Sequence, residues 1–134
     1  NVAILKKTNS NETMIVNNKK NYPINGDKII LSKYSNWWLI WTPWELVSFS
    51  DNSEPVLLNR SGEQLQQVWP MDEYNTLALV WSDKATALFP YYGVGHNLID
   101  QKIINSAVDG NNKIMYFAVK ETNKEKAGIW QIKY

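Results

Sequence analysis

Asn36-Trp37-Trp38-Leu39-Ile40-Trp41 places five consecutive apolar residues behind a polar turn at residues 32–35 and ahead of Thr42-Pro43. The run is too short for a helix and shows no alternation, which is the pattern of a β-strand covered on both faces. The pattern returns at Asn75-Thr76-Leu77-Ala78-Leu79-Val80 and at Asn112-Lys113-Ile114-Met115-Tyr116-Phe117, at offsets of 39 and 37 residues. A tight polar turn precedes each block, at residues 32–35, 70–74 and 108–111, and a second strand follows each, at 45–50, 84–89 and 128–134. Two copies add a further strand, at 55–59 and 96–100, and the next copies open at 63–69 and 102–107. The openings align at the 39-residue offset, Leu65 with Ile104 and Val68 with Ala107.

One rival exists along residues 61–69. There Leu65, Val68 and Trp69 sit at helical spacing, and Ser61-Gly62-Glu63-Gln64 has the form of a capping box. The alignment with 102–107 favours a strand over 64–69. Elsewhere, short apolar segments such as Val2-Ala3-Ile4-Leu5, Met14-Ile15-Val16 and Ile29-Ile30-Leu31 recur between turn residues, many of them Asn.

A unit of four short strands returning every ~40 residues is the sequence form of a β-propeller blade. The turns Trp69-Pro70-Met71-Asp72 and Ala107-Val108-Asp109-Gly110 resemble the WSPDGK motif of WD40-like and TolB-like propeller repeats. The Gly-His and Trp-Asp signature of true WD40 blades is missing, so the resemblance lies on the TolB-like side. The expected fold is all-β: a β-propeller fragment of four-stranded antiparallel blades in an incomplete ring. Residues 1–134 form a single partial propeller of about three blades. Its parts are two trailing strands of one blade (1–18), a blade at 19–59, a blade at 60–100 and an incomplete blade at 101–134. An arc of this size leaves apolar blade faces uncovered. It is therefore expected to belong to a longer propeller or to close against another copy. The chain opens on Asn1, as a processed or excised segment does.

Composition narrows the function classes. With 14 basic and 13 acidic residues the net charge is +1, which gives no footprint for nucleic acid or an anionic membrane. The longest apolar run is far below a bilayer span, so no membrane insertion is expected. The chain has no cysteine, which excludes disulfides, thiolate zinc sites and cysteine nucleophiles, and one histidine argues against an imidazole metal cluster. No metal, cofactor or catalytic residue is expected. His96 has Asp100 nearby only along the same strand and turn, no Gly-x-Ser-x-Gly elbow occurs, and residues 51–54 form a turn without the spacing of a calcium loop.

The remaining chemistry is recognition. Of seven tryptophans, those at 37–41 are core and inter-blade packing, whereas Trp44 follows Pro43 in a turn and is expected at the surface. Arg60, the one arginine, lies in a connection between blades, where a guanidinium can hold a carboxylate or phosphate. Asp83 and Lys84 occupy the position of Trp44-Glu45 in the following blade. The ligand-binding residues are thus Trp44, Arg60, Asp83 and Lys84. The charged stretch 119–126 is expected to be a mobile hairpin tip, with solubility as its default role and binding as the alternative. Asn11-Glu12-Thr13 and Asn59-Arg60-Ser61 match glycosylation acceptors.

The function expected is a non-enzymatic scaffold that binds a protein partner, another copy of itself or a ligand. The alternatives are a carbohydrate-binding module using exposed tryptophan and an accessory gating propeller of a hydrolase. The segment 126–130 and the blade pattern are similar to propeller regions of bacterial cell-envelope proteins that carry a PEGA module, which points outward from the cytoplasm.

Overall fold

A computed structural model of the chain describes residues 2–6, 12–17, 20–26, 28–51 and 53–134. Among these the secondary structure is strand and turn throughout, with no helix. The chain divides into two units, residues 1–63 and 64–134.

The first unit holds two antiparallel sheets. Strands β1 (Val2–Lys6), β2 (Glu12–Asn17) and β3 (Lys20–Asn25) pair in chain order, with Ile4 opposite Ile15 and Ile15 opposite Tyr22. Strands β4 (Lys28–Leu31), β5 (Trp38–Trp41), β6 (Glu45–Phe49) and β7 (Val56–Arg60) form a four-stranded meander. The expected pair of trailing strands therefore has a third member, and the next sheet opens at Lys28 instead of near residue 19. The reason lies in β3, where half-buried Tyr22 and Ile24 alternate with exposed Asn21, Pro23 and Asn25. One apolar face is what an edge strand requires, and an edge also tolerates the proline. Ile15, Ile40 and Phe49 form the core between the two sheets, with Trp38 stacked on Phe49 at 6.2 Å. Gly26 joins the sheets at a point where a Cβ would lie 2.0 Å from Ile40 Cγ2, so no side chain fits without movement. Its carbonyl accepts the Thr13 hydroxyl at 2.9 Å.

The second unit repeats the plan. Strands β8 (Gln67–Pro70), β9 (Leu77–Val80), β10 (Ala85–Phe89) and β11 (Val94–Ile99) form one four-stranded antiparallel meander. Strands β12 (Ile103–Asp109), β13 (Ile114–Val119) and β14 (Gly128–Lys133) form a three-stranded one. The helix at 61–69 does not form: Gln66 N–H donates to the Val80 carbonyl at 2.8 Å and leads the chain into β8. Ala78, Val80, Ala85 and Ile99 of one sheet pack with Met115, Phe117 and Val119 of the other. A polar tie joins the first strands. The Trp69 indole N–H donates to Ser106 Oγ at 2.8 Å, and that hydroxyl donates to the Gln67 side-chain oxygen.

The repeat is visible in single hydrogen bonds. The turn between first and second strands closes through Ser32 N–H to the Trp37 carbonyl at 2.8 Å and through Met71 N–H to the Thr76 carbonyl at 2.9 Å. Carboxylates cap the later copies, Asp72 accepting from Tyr74 and Thr76 N–H and Asp109 from Asn111 and Asn112 N–H. In one respect β13 departs from the expected pattern. All four residues of β9 are buried, but in β13 buried Met115, Phe117 and Val119 alternate with half-buried Ile114, Tyr116 and Ala118.

Candidate functional site

The turn that joins second to third strand is one structure made three times. Thr42 N–H donates to the Glu45 carbonyl at 3.0 Å, Trp81 N–H to that of Lys84 at 2.9 Å, and Thr122 N–H to that of Glu125 at 2.8 Å. Thr42 Oγ1 accepts from Trp44 and Glu45 N–H, and Thr122 Oγ1 from Lys124 and Glu125 N–H. Hydroxyl capping of this kind fixes a short turn without long-range packing. The same position is therefore held by Trp44, Asp83 and Lys124, and the next by Glu45, Lys84 and Glu125.

In the first unit the structure brings Trp44 and Arg60 together. Ser61 N–H donates to the Trp44 carbonyl at 2.8 Å, and Arg60 lies opposite Glu45 in the register of β6 and β7. The Trp44 side chain is 48% exposed. The Arg60 guanidinium is engaged by the Glu45 carboxylate, with Nη2 at 3.2 Å and Nε at 3.3 Å. By contrast, Trp41 and Trp81 are buried in the sheets. The indole nitrogen of Trp41, like Tyr34 Oη and Asn59 Nδ2, is buried with no hydrogen-bond partner among the described residues. A buried amide cannot accept a glycan, so Asn59-Arg60-Ser61 does not present an acceptor, and Asn11 lies outside the described residues.

In the second unit Asp83 is exposed and Lys84 Nζ lies 5.1 Å from the centre of the Trp81 ring. Ile103 N–H donates to the Ser82 carbonyl and Lys120 N–H to the Lys102 carbonyl, both at 2.8 Å. These bonds set the Asp83-Lys84 turn, the start of β12 and the β13–β14 loop side by side. Here the repeated turn sits within a longer connection, residues 120–127, and an open cavity of about 480 Å³ lies against it. Lys102, Lys120, Glu121, Thr122, Asn123 and Lys124 line it. The charged stretch 119–126 foreshadows part of this cavity; Lys102 carries no sequence signal, because only strand pairing places it there.

A further surface escapes a reading centred on tryptophan. At the opposite end of β9 and β10, Tyr74, Tyr91 and Tyr92 are exposed on two turns, and Asn75 Nδ2 donates to Tyr91 Oη at 3.0 Å. The doublet Tyr91-Tyr92 between Pro90 and Gly93 was the available signal. His96 lies edge-on to Phe89 at 5.5 Å, and the Asp100 carboxylate accepts from the Asn97 amide. Among the described residues no group of three or more His, Cys, Asp or Glu side chains is placed to hold a metal ion.

No protein-family model matches the chain, and no curated protein matches it in sequence. Its structure is similar to the crystal structure of the N-terminal domain of Nup159, a β-propeller, at a TM-score of 0.67 and 12% sequence identity. The similarity covers 99% of this chain and 41% of that one, so the chain spans less than half the length of the propeller it resembles. At this identity the likeness speaks for the fold alone, and the fold of the chain is that of a β-propeller fragment built of three- and four-stranded antiparallel sheets.

Proposed function

We propose that the chain is a non-enzymatic recognition scaffold, a propeller segment that binds a protein partner or a second copy of itself through the turns after its second strands. The observation that carries this reading is the repeated turn. Three turns closed by the same backbone hydrogen bond present three different side chains, Trp44, Asp83 and Lys124, which is how a rigid scaffold varies its surface without altering its core. On this reading the sheets are blades of a single partial propeller over residues 1–134, closer to TolB-like than to WD40 repeats. Arg60 orders the Trp44 turn through Glu45, and Lys84 orders its own through Trp81.

Peptide display against the immobilised chain tests the proposal. Enriched sequences are expected to bind the wild type and to lose at least about tenfold in affinity to Trp44→Ala or to the Asp83→Ala, Lys84→Ala pair, as hot-spot truncations do. Enriched peptides indifferent to all these substitutions and to Lys124→Ala, or no enrichment at all, would refute it.

Exposed Trp44 favours one second reading, a carbohydrate-binding module with the indole as stacking platform. Titration with an oligosaccharide panel while tryptophan emission is followed separates the two. Quenching that disappears in Trp44→Ala supports the module, and a silent panel removes it.

A further inference from the structure

We propose that the cavity between the β13–β14 loop and the start of β12 is a docking site for an acidic peptide segment of a protein partner. This rests on the scaffold reading above and names the chemistry of one of its turns. Three copies of one turn hold their nearby cations in three different ways. In the first, the nearby cation is neutralised internally, Arg60 being paired with Glu45 at 3.2 Å. In the second, the cation lies over an aromatic ring, Lys84 above Trp81 at 5.1 Å. In the third, Lys102, Lys120 and Lys124 converge on a cavity of about 480 Å³ whose lining holds one carboxylate, Glu121. No ion pair or ring contact engages the side chains of these three lysines among the described residues. The walls are nevertheless held in place: the backbones of Lys102 and Lys120 are joined by a hydrogen bond, and Thr122 caps the turn carrying Lys124.

The lining selects among anions. Ammonium groups on separate stems act as dispersed point charges, and the cavity has no arginine fork to grip a single compact anion bidentately. Glu121 within the lining disfavours a concentrated dianion but leaves room for spaced monoanions. No aromatic side chain lines the cavity, so nothing there can stack on nucleic-acid bases or sugar rings. The volume is that of a small-ligand pocket, enough for a few residues of extended chain. Carboxylates spaced along a peptide match all three features, and the Asn123 amide adds a donor that is indifferent to charge.

Fluorescence anisotropy of a labelled hexaglutamate peptide, with hexaglutamine as its neutral counterpart, tests the proposal on the full chain. The acidic peptide is expected to bind and the neutral one not, with binding weakened about tenfold between about 25 mM and about 300 mM salt. Combining Lys102→Ala, Lys120→Ala and Lys124→Ala is expected to weaken it at least about tenfold. A control with the same loss of charge, Lys20→Ala, Lys33→Ala and Lys133→Ala, changes it less than about twofold. Equal losses in the two triple variants, no binding at low salt, or tighter binding of a single-stranded oligonucleotide would each overturn the assignment. All six lysines are exposed, so neither variant threatens the fold. Display peptides that depend on Trp44 or Asp83 leave the scaffold reading standing whatever this titration returns, so the two can fail separately.

Discussion

The two sheets of the second unit follow the same strand plan and bury it differently. In β9, Leu77, Ala78, Leu79 and Val80 are all buried, so both faces of that sheet are covered. In β13 only Met115, Phe117 and Val119 are buried, and the opposite face shows Ile114, Tyr116 and Ala118 half-covered. On the flanking strands of that sheet, Ile104 and Ile129 are 66% and 72% exposed. Among the described residues β14 pairs with β13 alone and forms the edge of its sheet, the place that β7 and β11 take in the four-stranded ones. The difference teaches that a continuous apolar strand records the capacity to be covered twice, whereas actual coverage depends on which neighbours are present. Burial therefore separates residues that the repeat makes equivalent.

Leu79 and Tyr116 provide the sharpest form of that comparison. Leu79 lies between Val68 and Thr86, and Tyr116 between Ala107 and Gln131, each at the centre of its sheet on the face away from the shared core. Leu79→Ala is expected to cost about 2–5 kcal/mol, the range for emptying a fully buried leucine site. Tyr116→Ala removes a larger side chain, yet from a half-covered face it is expected to cost less than about half as much. Urea denaturation monitored by tryptophan emission measures both. Equal costs would show that the outer face of the last sheet is as well packed as that of its neighbour.

The tie between the sheets is the next quantity to probe. Ser106, buried in β12, accepts from the Trp69 indole, donates to Gln67 and takes a backbone bond to the Asn105 amide oxygen at 2.9 Å. Ser106→Ala leaves the Trp69 N–H and the Gln67 oxygen without that partner, an expected loss of about 1–3 kcal/mol. Adding Trp69→Phe removes one of the stranded groups, so the double variant should be less destabilised than the two single costs combined. Strict additivity in the same denaturation assay would mean that packing joins the sheets and the polar contacts are incidental.

These results also mark what the amino-acid order disclosed. The repeat was legible because its turns rely on local chemistry, such as the hydroxyl of Thr42 or the carboxylate of Asp72, which operates within a few residues. The same locality made the strand at Gln67–Pro70 recoverable through its alignment with the segment after Lys102. Assignment of Lys20–Asn25 to the first sheet was not legible, because an amphipathic strand can close one meander or open the next and only pairing decides. The cavity was half legible. Its loop stands out by charge, but Lys102 is brought to it by backbone bonds from Ile103 N–H to the Ser82 carbonyl and from Lys120 N–H to the Lys102 carbonyl, and residue spacing does not encode those. The turn at Trp44 was readable from the proline before it, whereas its link to Arg60 needed the register of β6 and β7.

The smallest effect separates the two sheets at their first turns. Both place a residue in left-handed backbone ahead of the second strand, Asn75 at φ 60° and Lys113 at φ 53°. Asparagine tolerates that region, and Asn75 also uses its amide to hold Tyr91. Lysine has neither advantage, and the part of Lys113 engaged with the rest of the unit is its carbonyl, which accepts from Tyr134 N–H at 2.9 Å and would do so equally from glycine. Removing Cβ relieves about 1–2 kcal/mol of left-handed strain, against about 0.5–1 kcal/mol of added freedom in the unfolded chain. Lys113→Gly is therefore expected to stabilise by roughly 0.5 kcal/mol, while Asn75→Gly, which loses a hydrogen bond, is expected to be neutral or destabilising by up to about 1 kcal/mol. Thermal melts of the two variants side by side carry the test. A rise for Asn75→Gly as large as that for Lys113→Gly would mean that the Asn75–Tyr91 bond contributes nothing and that the two turns differ only in sequence.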